Sequence, residues 1–386
     1  MKINIIGAGP AGLYIALLMK QADPSGTITV YERDGADDTF GWGIVFSDQT
    51  FSYLRDSDIP SYEDIVASCE TWDNVDVIHR DEKISIRGNR FSGIARIVFL
   101  KILQRRAQAL GVDLRFHANI SDISQLPPAD LLVGADGANS QIRLRHADAF
   151  QPEVAPARNK YMWLGTPHLF HGLTLTFRET EWGPFAAHSY KFSKTLSTFI
   201  VECGPETWAR AGFPTMSEPE TLARLSSIFA SDLDGAALLT NSFVRWLNFT
   251  LVKNRQWHHD NVVLLGDALH TAHFSIGSGT KLALEDAIAL ARAFAEHPRV
   301  ADALPYFQQI RKPIVDALQD AAVESLHWFE NWEKDSGLEP VVFAYRLMTR
   351  SGRIDIEKLR RRDPGFVDAY ERASAGRAPE PSTHER

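Results

Sequence analysis

Short runs of β-branched and aliphatic residues, each closed by glycine or an acid, recur along the chain and set the expected elements. Lys2–Ile6 is the first such run, and the apolar stretch 13–20 that follows has helical character. Further strands are expected over Thr27–Tyr31, 130–135 and 261–265, and further helices over 97–110 and 281–294. Between 152 and 250 the pattern changes, and segments 173–178, 185–192 and 195–203 read as strands of a separate sheet. Alternation within 185–192 sets His188 and Tyr190 on one face and Ala187, Ser189 and Lys191 on the other. From 299 to 372 the chain reads as helices, with an aromatic-rich patch at 327–332 that could close over a ligand or serve a dimer but is expected rather to pack in a core. The Pro-, Ser-, Glu- and Arg-rich end, 373–386, is expected to be disordered.

The first strand runs straight into Gly7-Ala8-Gly9-Pro10-Ala11-Gly12 and then into a helix. In a strand–GxGxxG–helix unit the glycines have separate tasks: Gly7 makes the tight turn, Gly9 lets backbone approach a pyrophosphate, and Gly12 lets helix and strand pack closely. The helix start adds free N–H groups and a partial positive charge for phosphates. The second strand ends at Glu32, 20 residues beyond Gly12, which suits an acceptor for a ribose hydroxyl. This unit predicts a dinucleotide, without choosing between FAD and NAD.

Composition narrows the class. The 386 residues suffice for two domains sharing a core, 44% hydrophobic and 23% charged residues are those of a globular protein, and a formal net charge of -8 argues against nucleic acid as a partner. Cys69 and Cys203 are too few for a disulfide framework and not spaced as metal ligands, so a reducing cytoplasm is expected. No uncharged apolar run reaches the roughly 20 residues a bilayer needs, and no membrane association is expected. His258, His259, His270 and His273 raise the question of a metal, but no cysteine lies near them and none is expected. No GxSxG elbow is present, which removes acyl-transfer chemistry.

Two later strands also end in an acid. The run 130–135 leads into Asp136-Gly137-Ala-Asn-Ser-Gln-Ile-Arg143, and 261–265 leads into Gly266-Asp267-Ala-Leu-His270. Taken singly, either Asp is as readily a helix cap. In an open parallel sheet, however, Glu32, Asp136 and Asp267 all face the ligand edge. The set GxGxxG, DGxxSxxR and GD resembles the signature of the single-component FAD-dependent aromatic hydroxylases, the para-hydroxybenzoate hydroxylase class, over roughly residues 1 to 300.

That resemblance implies an α/β protein: a Rossmann-like FAD-binding domain with an inserted, mainly antiparallel β substrate domain and a C-terminal helical region. The expected division is 1–75, 92–151 and 250–298 for FAD, 76–91 and 152–249 for the substrate domain, and 299–372 for the helices. Cofactor contacts are implied for Gly7, Gly9, Pro10, Ala11, Gly12, Glu32, Arg33, Trp42, Gly43, Arg96, Asp136, Gly137 and Asp267. The turn Gly277, Ser278, Gly279, Thr280, Lys281 completes the set, and the helix it opens places a partial positive charge near the flavin. The family's proline after the GD motif is missing, a departure at the wall above the flavin. The pocket is expected around Trp163, His188, Tyr190 and Phe274, with His188 and His270 as candidates for proton transfer.

Three strings narrow the likeness further: 40–45, 159–165 and 195–203. They are similar to the subgroup holding salicylyl-CoA 5-hydroxylase, the hydroxylase part of anthraniloyl-CoA monooxygenase and the tryptophan hydroxylase of violacein biosynthesis. This implies ring hydroxylation with NADH or NADPH and O2 through a flavin C4a-hydroperoxide, on an aromatic acyl-CoA such as salicylyl-CoA. A free aromatic metabolite, tryptophan- or indole-like, is the alternative, and a non-catalytic FAD redox sensor a more remote one. Because the chain stops at 386, no fused ring-reduction activity is expected, and a monomer or homodimer is expected. A CoA substrate would favour a basic rim, for which Arg87, Arg90, Lys160 and Lys191 are candidates.

Overall fold

The computed structural model describes residues 1–241 and 245–375. The expected tail therefore lies mostly outside the described residues, while its first two positions belong to the last helix, Pro364–Ser374.

Three sheets organise the described residues. The first has six strands in the order His258–His259, Val262–Leu264, Leu131–Gly134, Lys2–Ile6, Thr27–Tyr31, Asp113–Arg115. All neighbours are parallel except the short first hairpin. Register puts Leu264, Gly134, Ile6 and Tyr31 in one row across four strands. The residues that follow that row, Asp267, Asp136, Gly7 and Glu32, consequently leave the sheet at the same edge. The helices Pro10–Ala22 and Gly279–Glu296 pack on the sheet, burying Leu13, Tyr14, Leu17, Leu284 and Leu290 in one large apolar core.

A seven-stranded sheet forms the second layer, in the order Leu247–Asn254, Pro152–Thr166, Ser197–Cys203, Gly183–Lys191, Leu173–Thr180, Val75–His79, Glu82–Ile86. The last two strands come from the 76–91 excursion and join through a parallel pairing with Leu173–Thr180. Pro152–Thr166, with 15 residues, escapes the sequence pattern because Pro156, Arg158, Asn159 and Lys160 interrupt its alternation, and its register shifts between Pro156 and Lys160. Met162, Leu164, Phe185, Ala187, Phe199 and Val201 face a core closed by the helix Glu218–Ile228 and its neighbours. Leu175, Phe177 and Val77 point the other way, into a core made with the C-terminal helices. There the 327–332 patch is packing: Trp328, Phe329, Trp332 and Phe343 ring Phe177 at 4.8 to 5.9 Å.

A three-stranded sheet, Gly43–Ser47, Phe91–Ala95 and Glu70–Trp72, joins the two layers. No helix among the described residues is long and apolar enough to cross a membrane.

Candidate functional site

The ligand edge of the parallel sheet is built largely of backbone. Gly7 has φ +104°, and a Cβ there would meet the Ala135 carbonyl oxygen at 2.2 Å. A Cβ on Gly12 would lie 2.0 Å from the Gly7 oxygen, so helix and strand approach as closely as glycine permits. Pro10 opens the helix at a position whose N–H is not needed. Gly266, with φ +58°, packs on Ala11, which brings the GD turn against the first glycine loop. Arg143 links the remaining motif: it is buried, and its Nη1 donates to the Ala268 carbonyl at 2.9 Å.

Acids and bases line this edge. Glu32 accepts from the Ala8 N–H at 2.7 Å and the Asp34 N–H at 3.0 Å, and so braces the loop. Asp136 Oδ2 caps the next helix through the Gln141 N–H at 2.7 Å, yet its Oδ1 is enclosed without a partner. Asp267 is exposed at the open side of this edge, and the protein packed around it raises its carboxyl above the usual range, with Arg96 and His270 opposing. Arg96 opens the helix Arg96–Ala109, its Nε enclosed and unpartnered, and burial lowers its guanidinium from the ordinary value despite Asp267. At Gly9, Gly137, Gly277 and Gly279 an added Cβ would meet nothing within 4 Å. Open space beside four glycines of three motifs, with unpartnered polar atoms on Arg96 and Asp136, fits a long polar ligand of the FAD type.

Other expected cofactor residues are exposed or held by protein partners. Arg33 is exposed and pairs with Asp34 at 3.2 Å. Lys281 is held by Glu285 at 3.0 Å, within a network in which Arg311 bridges Glu285 and Asp286 at 2.9 Å each. Thr280 and Ser278 stay at the start of the helix Gly279–Glu296. Trp42 and Gly43 sit on the seam between layers: the Gly43 N–H donates to Thr198 Oγ1 at 3.0 Å, and its carbonyl accepts from the Tyr190 hydroxyl at 2.8 Å. The subgroup strings meet here, because a Cβ on Gly41 would strike the Trp163 ring and one on Gly165 the Trp42 ring, both within 3 Å.

One face of the seven-stranded sheet meets this edge. Strand register aligns Tyr161 with Glu202 and Ala186, Trp163 with Ile200 and His188, and Gly165 with Thr198 and Tyr190. Tyr161 reaches Phe274 at 5.1 Å between ring centres, and Phe274 also touches His188 at 5.2 Å and Phe249 at 6.1 Å. His188 is 5% exposed, and its Nε2 lies 2.7 Å from Glu202 Oε1. Tyr190 serves the seam, stacking on Trp72 at 6.1 Å. His270 is not brought to this face: it packs against Trp257 at 5.7 Å, with Nε2 2.8 Å from buried Asp286.

Sequence reading passed over Tyr161, Glu202, Asn159, Phe249 and Phe329. One signal was available: Glu202 is the only charge within the apolar strand Ser197–Cys203, and a charge there needs a buried partner. Among the described residues no three His, Cys, Asp or Glu side chains converge as a metal site. A cavity of about 210 Å³, lined by Arg158, Glu206, Arg210 and Glu333 at the far end of the sheet, contains none of the cofactor motifs.

A parallel sheet whose ligand edge abuts the aromatic face of a second sheet is the arrangement that a flavin-dependent hydroxylase requires. Comparison with known proteins agrees. Residues 127–322 match the family described as FAD binding domain. The chain is 41% identical over 379 residues to a salicyloyl-CoA 5-hydroxylase from Streptomyces sp, covering 95% of this chain and 73% of that protein. It is 37% identical over 370 residues to a 3-hydroxy-4-methyl-anthranilyl-[aryl-carrier protein] 5-monooxygenase from Streptosporangium sibiricum, covering 95% and 99%. In fold it is similar to 2-methyl-3-hydroxypyridine-5-carboxylic acid oxygenase, with a TM-score of 0.73 at 19% identity over 94% of this chain and 98% of that one. The chain belongs to the FAD-binding family of aromatic-ring monooxygenases, the para-hydroxybenzoate hydroxylase class. Enzymes of this kind use NAD(P)H and O2 with FAD.

Proposed function

We propose that this enzyme hydroxylates the ring of an aromatic acyl thioester, with salicylyl-CoA as the representative substrate. The observation that carries the reading is 41% identity, across nearly the whole chain, to a salicyloyl-CoA hydroxylase, joined to an aromatic face set against the flavin edge. The second relative also names an aromatic acyl thioester, held on a carrier protein. In both names position 5 is para to the substituent at position 2, a hydroxyl group in one and an amino group in the other.

Bound FAD, reduced by NADH or NADPH, supplies the activation of O2. The chain's own residues bind, orient and keep water out. Gly9, Gly137, Gly277 and Gly279 give the cofactor backbone to lie against, Asp267 and Glu32 offer acceptors to its hydroxyls, and Arg96 offers a cation. Tyr161, Trp163, Phe249 and Phe274 supply apolar walls that exclude water from the ring.

A CoA rim made of the four basic residues singled out in the sequence finds no support. Arg90 lies 3.6 Å from Asp48 and Lys191 3.1 Å from Glu70. Lys160 is in register with Phe185, six residues from Lys191 along the same strand, which separates the two by about 20 Å.

The test is NADH and NADPH oxidation by FAD-loaded protein given salicylyl-CoA, free salicylate or tryptophan, with product scored alongside. Stimulation and ring-hydroxylated product from the thioester alone are expected. Equal stimulation by the free acid, or hydroxylation of tryptophan alone, overturns the thioester reading.

A further inference from the structure

Glu202 and His188 form a buried acid–base pair on the face that meets the flavin edge. Glu202 is 1% exposed, and both its oxygens are engaged: Oε1 with His188 Nε2 at 2.7 Å, and Oε2 by the Asn159 Nδ2–H at 3.1 Å. Burial works to raise its carboxyl, but the hydrogen bonds from His188 and Asn159, with the electrostatic attraction of the neighbouring His188 and His273, hold it below the usual carboxylate range. The groups that face the pair are His273, buried beside Phe274, and Arg350, whose Nη2 donates to the Ser275 carbonyl at 2.6 Å and whose Nε donates to Ser325 Oγ at 2.8 Å. Behind Asn159, Glu330 accepts from the Arg158 N–H at 2.7 Å and the Asn159 N–H at 3.4 Å. The His188 ring lies 4.6 Å from Phe329 and 5.2 Å from Phe274. Its Nδ1 has no protein partner among the described residues.

An ionised carboxylate can only accept, so the hydrogen of neutral His188 sits on Nε2, facing Glu202. Nδ1 is left with a free lone pair, on a side chain already placed among the aromatic walls.

We propose that His188 is the general base that takes the proton from the ring hydroxyl of the substrate, and that Glu202 is the positioning residue that fixes its tautomer and stabilises the imidazolium. This rests on the reading of the substrate as a hydroxylated aromatic thioester. The ring O–H bond breaks, the proton goes to Nδ1, and the electron pair stays on oxygen, enriching the para carbon. Glu202 stays unprotonated throughout, as a carboxylate bound to an imidazolium does. The proton on Nδ1 returns to the same oxygen when the product forms. Asn159, by holding Oε2, keeps the Glu202 carboxylate turned toward His188. An amino group para to the attacked carbon donates electrons without losing a proton, so a salicyl ring needs the base and an anthranilyl ring does not.

The experiment uses FAD-loaded protein and its His188→Gln, Glu202→Gln and Glu202→Asp variants, with salicylyl-CoA and anthraniloyl-CoA compared. Two quantities are read: the pH at which bound salicylyl-CoA turns to phenolate, by absorbance, and turnover of each thioester. His188→Gln is expected to lower turnover of salicylyl-CoA by about 10²-fold more than that of anthraniloyl-CoA, and Glu202→Gln by about tenfold more. Both should move phenolate formation to higher pH, while Glu202→Asp restores part of it and, with flavin content, shows that the fold persists. Equal losses on both thioesters, or an unmoved ionisation, overturn the proposal and leave the pair a structural role. Wild-type protein that binds neither thioester overturns the substrate reading, and this proposal with it.

Discussion

The flavin edge and the substrate face lie side by side, yet they are made of different material. The edge is backbone: glycines that tolerate no Cβ or face open space, helix starts, and strand ends set in one row by parallel pairing. The face is side chains: Tyr161, Trp163, His188 and Glu202 come from three strands and meet through antiparallel register, and Phe274 packs on them from the turn that follows the GD motif. A backbone site tolerates exchange of most side chains around it, whereas a register-built face changes with each substitution. Relatives can therefore share the first and differ in substrate through the second.

The sharpest way to break the contrast is to add one methyl group at two glycines of the same loop. Gly12→Ala puts a Cβ 2.0 Å from the Gly7 oxygen and is expected to abolish FAD-loaded soluble protein. Gly9→Ala meets no protein atom within 4 Å, so the apoprotein should keep its thermal midpoint while FAD binds about tenfold more weakly, near 1.4 kcal/mol. Flavin-to-protein absorbance and thermal unfolding measure both, and identical behaviour of the two variants contradicts the backbone reading.

On the side-chain half, Phe177→Ala removes a 2% exposed ring from between the sheet and the C-terminal helices. It is expected to cost about 3 to 5 kcal/mol in urea unfolding. FAD affinity should not change, since Phe177 lies in a core separate from that of the flavin-binding sheet.

A pH titration of stability probes the seam. Burial lowers His273 from 6.5 to about 4, against the attraction of Glu202 and alongside the repulsion of His188 and Arg350. Between those values the unfolded chain binds the proton and the folded protein does not, so stability rises with pH across the window, is complete above about 6.5, and is lost as pH falls toward 4. Glu202, held low, adds a loss in the same direction at the acid end. His273→Gln should flatten the part between 4 and 6.5; an unchanged slope there assigns it to other groups. The smallest effect belongs to the exposed pair Arg299 and Asp302, where Arg299→Ala is expected to leave the thermal midpoint unmoved.

The same division explains what could be read from the chain alone. Gly7, Gly9, Gly12, Asp136 and Asp267 lie in contiguous strings whose geometry is local, and the strands that carry them were legible from β-branched runs. The alternation that put His188 and Tyr190 on one face was legible too, but not that Tyr190 would tie down Gly43 while His188 met Glu202, because those contacts are set by pairing across strands. Pro152–Thr166 was hidden by its prolines and charges, and with it Asn159 and Tyr161. His270 looked like chemistry because it follows the GD motif; its partner Asp286 lies 16 positions on, in the helix Gly279–Glu296.

The most direct test of the central claim is product analysis after turnover of salicylyl-CoA by FAD-loaded protein under oxygen-18 gas, in unlabelled water. One labelled oxygen in the new ring hydroxyl of the thioester product, with NADH or NADPH consumed in step, is the expected result. Unlabelled product, or consumption of NAD(P)H and O2 with no hydroxylated thioester, contradicts it.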